Sequence, residues 1–137
     1  MKVNSVSNQS FGMTLRANGE FLSAIAEKVM KDPYSKTSDK IFKQLHKIRQ
    51  FPLNDTYEIQ KINNSFTKEV KNSPIQFFQN IIEEGYRLVD KTKNETVLEK
   101  IASQPLKKYY NPKVKPENFL TYITKNLKKL AKLEKLQ

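Results

Sequence analysis

His46 is the one histidine in the chain, and a lone imidazole limits the chemistry at once. A typical catalytic zinc site takes two or three imidazoles, which this sequence cannot supply. As the base for a serine nucleophile His46 would need a nucleophile elbow, and no G-x-S-x-G occurs. It falls beside Leu45 at the edge of a helical apolar stripe and is read as a boundary residue without chemistry. Glu83-Glu84 is the only adjacent carboxylate pair. On the helix expected there, neighbours point about 100° apart, so the two acids do not converge on one substrate atom, and Arg87 is placed to pair with them. Three glycines leave no phosphate-cradling loop, since neither GxxxxGK[ST] nor GxGxxG is present. With no cysteine there is no thiolate nucleophile, disulfide framework or cysteine-ligated metal. The expectation is a protein that is not an enzyme and holds no metal or cofactor.

Charge supplies the binding lead. The net charge is +11, and of 25 basic residues only Arg16, Arg49 and Arg87 are arginine. Arginine's planar fork grips phosphates and carboxylates bidentately, whereas lysine offers a point charge. The chain is also rich in asparagine and isoleucine, which share A/T-rich codons with lysine, so genome composition accounts for part of the bias. The most specific stretch is PLKKYYNPKVKP, residues 105–116. There Lys107, Lys108, Lys113 and Lys115 surround Tyr109 and Tyr110, as in surfaces where lysines neutralise phosphates and rings stack on bases. The bland counterpart is that the tyrosines pack a linker onto the body while the lysines stay solvated. The second basic element is KNLKKLAKLEKLQ, residues 125–137. On a helix its Lys125, Lys128, Lys129, Lys132 and Lys135 fall within an arc of about 120°, opposite a stripe of Phe119, Leu120, Ile123, Leu127 and Leu130. That is the pattern of a helix with one face on a core. No tryptophan anchors it to a membrane surface, and no window of about 18 apolar residues exists to span a bilayer.

These residues need elements to hold them. Val, Ile, Leu and Phe total 37 of 137 residues, enough for one modest core. Residues 1–10 read as a polar lead and 11–137 as a single globular domain. Residues 11–16 alternate like a strand. A helix over 20–31 stops at Asp32-Pro33, and a second over 38–50, capped by Ser38, stops at Phe51-Pro52. In 56–71, a turn at Asn63-Asn64 would pair Tyr57, Ile59, Phe66 and Val70 on one face of a hairpin. Ser73, Pro74 and Gln76 form a helix-start signal, which predicts a helix to about 91, and a short helix follows near 94–103. The last begins at Pro116 and runs almost to the end. The fold class expected is α+β and predominantly helical, about five helices with a small antiparallel sheet; the alternative is an all-α bundle.

The opening V-N-S-V-S-N-Q-S-F-G-M, residues 3–13, resembles the start of many uncharacterised gut-bacterial proteins. These share a short Asn/Ser-rich lead followed by a Phe-Gly element, here Phe11-Gly12. The resemblance covers about a dozen residues and implies no activity or ligand. What it implies is a lead separable from the body, of the kind used for sorting or tethering. Together the readings point to a small basic cytoplasmic protein that binds another protein. The alternative is a sequence-nonspecific nucleic-acid binder using residues 107–115 and the C-terminal lysine face.

Overall fold

The structure, a computed structural model, describes residues 14–72, 75–106 and 113–136. Its elements run β1 (Thr14–Ala17), α1 (Gly19–Lys31), α2 (Lys36–Gln50), β2 (Thr56–Asn72), β3 (Ile75–Asp90), β4 (Glu95–Pro105), α3 (Pro116–Lys125) and α4 (Leu127–Lys135). The sheet order is β1-β2-β3-β4. β1 lies parallel to β2, reached through the α1–α2 crossover, and β2, β3 and β4 follow as an antiparallel meander. Every strand side chain in the core cluster (Tyr57, Ile59, Tyr86, Leu88, Leu98) lies on one face of the sheet. The helices bury Phe21, Ile41, Ile48, Phe119, Leu120, Ile123, Leu127 and Leu130 against that face.

The first two helices form as local signals dictate. Asn18 caps α1 by accepting from Phe21 N at 3.0 Å, and Asp32 before Pro33 ends it. At α2 the cap is Ser35, which accepts from Ser38 N at 3.1 Å. Ser38 itself is buried inside the first turn and donates to Asp32 O at 2.6 Å.

The middle of the chain overturns the helical expectation. Among the described residues there are four helices and a four-stranded mixed sheet, neither a five-helix fold with a small antiparallel sheet nor an all-α bundle. Residues 56–72 form one long strand with no turn at Asn63-Asn64; these two pair with Glu84 and Glu83 on β3. A two-residue hairpin turn wants glycine for its positive φ, and without it the chain stays extended beside a partner strand. β2 and β3 stay paired as far as Asn72 and Ile75. Ser73 and Pro74, expected to start a helix, lie outside the described residues.

Residues 75–90 are strand rather than helix. Their apolar spacing fits a helix, but period two also sorts them: Tyr86 and Leu88 join the core face, while Ile81, Gly85 and Val89 take the other. At Gly85 a β-carbon would lie 1.9 Å from Lys100 O, so the close pairing of β3 with β4 requires glycine. The expected helix at 94–103 is β4. Consecutive Val97 and Leu98 look helical, but the register shifts there: Leu88 pairs with Leu98 and Val89 with Thr96. This bulge lets both adjacent apolar residues reach the core cluster. The last helix begins at Pro116 but is broken into α3 and α4 at Asn126, where φ is −110° and ψ 12°.

Candidate functional site

The ends of α2 and α3 and the start of α4 meet at the Asn126 break. They enclose an open cleft of about 580 Å³ lined by His46, Lys47, Gln50, Phe51, Pro52, Thr124, Lys125, Leu127 and Lys128. Its floor is apolar, with Leu127 buried and Phe51 half-buried. Lys47, Lys125, Lys128 and His46 are exposed around it, and among the described residues no carboxylate lines it. Asn126 would be the natural cap for α4, but its amide donates back to Tyr122 O at 2.8 Å. The first turn of α4 therefore has no side-chain cap.

Of the residues singled out from sequence, Lys125 and Lys128 stand at this cleft, and Lys129 and Lys132 are exposed further along α4. Lys113 and Lys115 are exposed at the opposite end of α3, about 15 Å away for a ten-residue helix. Lys107, Lys108, Tyr109 and Tyr110 lie outside the described residues. Sequence reasoning did not find Lys47, Gln50, Phe51 and Pro52 as site residues, and assigned His46 no role. The amphipathic pattern of α2 puts His46 and Lys47 off its apolar stripe, but their meeting with the α3–α4 break is a tertiary fact.

The carboxylates are used differently. Glu83 and Glu84 point to opposite faces of β3, as strand neighbours must. Glu84 is buried on the helix side, and its Oε2 accepts from Lys113 N at 3.0 Å and Val114 N at 3.2 Å, tying the approach to α3 onto the sheet. Arg87 pairs across to Glu99 on β4 at 3.6 Å, not with a neighbour on its own strand. Glu117, also buried, holds the Lys28 ammonium 3.2 Å from each of its oxygens and so links α1 to α3.

A third group of acids secures the end of α4. Glu134 accepts from Asn54 N and Asp55 N at 3.0 Å and from the Tyr57 hydroxyl at 2.6 Å. Lys93 donates to Leu133 O at 2.6 Å and Leu136 O at 3.3 Å, capping the same helix. Asp90 is buried and accepts from Thr92 N and Lys93 N, which shapes the β3–β4 turn. Burial, a hydrogen bond to Asp90 and the charges of Asp90 and Glu134 push Asp55 up to about 6, with Lys93 opposing. Burial and Glu134 push the Tyr57 hydroxyl well above the usual phenol range, so it remains a donor. None of these acids lines the cleft. Among the described residues, no group of three or more His, Cys, Asp or Glu is arranged to hold a metal ion. A second depression, at the start of α1, sets two acids, Glu20 and Glu27, beside one lysine, Lys61.

No protein-family model matches the chain, and no curated protein does. Among solved structures, a minor lipoprotein from Acinetobacter baumannii aligns over 86% of this chain and 92% of its own, at 8% identity and a TM-score of 0.34. That likeness is too slight for anything to be transferred from it. Among the described residues, no helix is long and apolar enough to cross a membrane.

Proposed function

We propose that this is a non-enzymatic binding protein that docks an acidic protein partner on the outer face of α2, α3 and α4. The observation that carries the reading is how charge is sorted. α2 has five basic side chains and one acidic; α3 and α4 together have five basic and two acidic. Glu117 and Glu134 are turned inward onto Lys28 and the Asn54–Tyr57 segment, and Asp39 is paired with Lys43 at 3.0 Å. The outward charge is thus almost wholly positive. Codon bias bears on how many lysines there are, but not on why two of the three acids of these helices face in.

A surface of one sign steers an oppositely charged partner and rejects like-charged ones. Arg49 is the only arginine on these three helices, which argues against bidentate phosphate recognition. The apolar floor of the cleft suits a protein side chain better than a sugar–phosphate backbone. The test is fluorescence anisotropy with a labelled glutamate-rich peptide and with duplex DNA across a salt series. The peptide should bind at low salt and weaken as salt rises, and Lys47→Glu with Lys128→Glu should abolish binding. DNA binding in preference to the peptide, with a log–log salt slope near −0.9 per phosphate engaged, would replace this reading with the nucleic-acid one.

A further inference from the structure

We infer that the cleft between the end of α2 and the α3–α4 break is the anchor point of this docking face: it takes one bulky apolar side chain of the acidic partner, with the partner's flanking carboxylates on Lys47, Lys125 and Lys128. This rests on the docking reading and adds to it the chemistry of the segment recognised.

The cleft is where the lysine-bearing helices α2, α3 and α4 come together, so a ligand centred there reaches charges from all three. Lys47 approaches from α2, Lys125 from the end of α3 and Lys128 from the first turn of α4, while among the described residues no acid lines the space to repel a carboxylate. The floor of Phe51, Pro52 and Leu127 offers an ion nothing and an apolar group a surface to leave water for. At about 580 Å³ the space exceeds what one lysine-bound carboxylate would fill and is large enough for a bulky side chain. Apolar floor and cationic rim together describe an apolar residue set between acids. Interfaces concentrate their affinity in such pocketed anchors, with polar contacts around them.

The experiment uses the full chain and two labelled peptides: a run of glutamates interrupted by one phenylalanine, and the same peptide with glycine in its place. The phenylalanine peptide should bind roughly tenfold tighter or more, the scale expected for burying an aromatic side chain. Its amide chemical-shift changes should centre on residues 46–52 and 124–128. Equal affinity of the two peptides, or shift changes spread evenly over the lysine face, would overturn the anchor while leaving the docking face standing. If neither peptide binds at low salt, the docking reading and the anchor both fail. If duplex DNA outcompetes the phenylalanine peptide, the protein partner is replaced.

Discussion

The buried carboxylates of this protein and the lysines around the cleft are placed in opposite ways. Glu84, Glu117 and Asp90 are buried, and with Glu134 they bond to backbone or to another element. Glu84 ties the approach to α3 onto the sheet, Glu134 ties α4 to the Asn54–Tyr57 segment, Glu117 joins α3 to α1, and Asp90 shapes the β3–β4 turn. Lys47, Lys125, Lys128, Lys129 and Lys132 are exposed and gather on one side. A buried carboxylate that accepts from backbone or ammonium donors resists replacement, because removing it strands those donors. An exposed lysine stabilises little, being solvated and screened, and is free to serve a partner. The buried carboxylates hold elements together, as do Lys28 and Lys93, whereas the lysines around the cleft are left to solvent.

Substitutions break that contrast in graded steps. Glu84→Ala should cost the most, about 3 kcal/mol in urea unfolding, since it strands the Lys113 and Val114 amides against the sheet. A loss below about 0.5 kcal/mol, the range of ordinary surface changes, would mean that Glu84 is not the tie described. Glu134→Ala should cost about 2 kcal/mol by removing the acceptor of Asn54 N, Asp55 N and the Tyr57 hydroxyl. A double-mutant cycle with Tyr57→Phe should then give a coupling of about 1 kcal/mol, and strict additivity would separate the two groups.

The Asp55–Asp90 contact sharpens the contrast through pH. The folded value of Asp55 stands near 6, against 3.8 when unperturbed. Its stabilising contribution is therefore present below about pH 4 and is lost as pH rises through 6. Asp55→Asn should be more stable than the parent at pH 7 and lose that advantage by pH 4, by about 1 kcal/mol or less because solvent and Lys93 screen the pair. Thermal melts across this range check it, and a pH-independent difference would count against the shared proton. The smallest stability effect belongs to the interface side. Lys128→Ala should change unfolding by less than about 0.5 kcal/mol while weakening peptide binding. A larger loss of stability would move that lysine to the structural class.

Legibility in the sequence followed how local each signal was. The stops at Asp32-Pro33 and Phe51-Pro52 and the start at Pro116 depend on backbone sterics within a residue or two, and the structure keeps all three. Residues 75–105 were misread because their apolar positions satisfy both a helical and an alternating period. Nothing nearby on the chain records that Ile59 lies opposite Leu88, or Leu88 opposite Leu98. The bulge at Leu88/Val89 deepened the error by placing two adjacent residues on one face. At the candidate site, Lys125 and Lys128 were visible as the polar side of an amphipathic helix. His46 and Lys47 were visible only as residues off another helix's stripe.

The sequence by itself determined the excess of lysine, the absence of cysteine chemistry, the helices at both ends and the outward turn of their charges. Those properties depend on composition, on proline geometry and on a period measured along one segment. Tertiary structure alone decided that 56–72 is one strand rather than a hairpin, that residues 75–90 and 95–105 are sheet, that Gly85 must be glycine and that Glu134 holds Tyr57. It also decided that α2 and the α3–α4 break meet around a basic cleft. Each of these rests on groups far apart in the chain, brought together by strand pairing and by burial of one shared core.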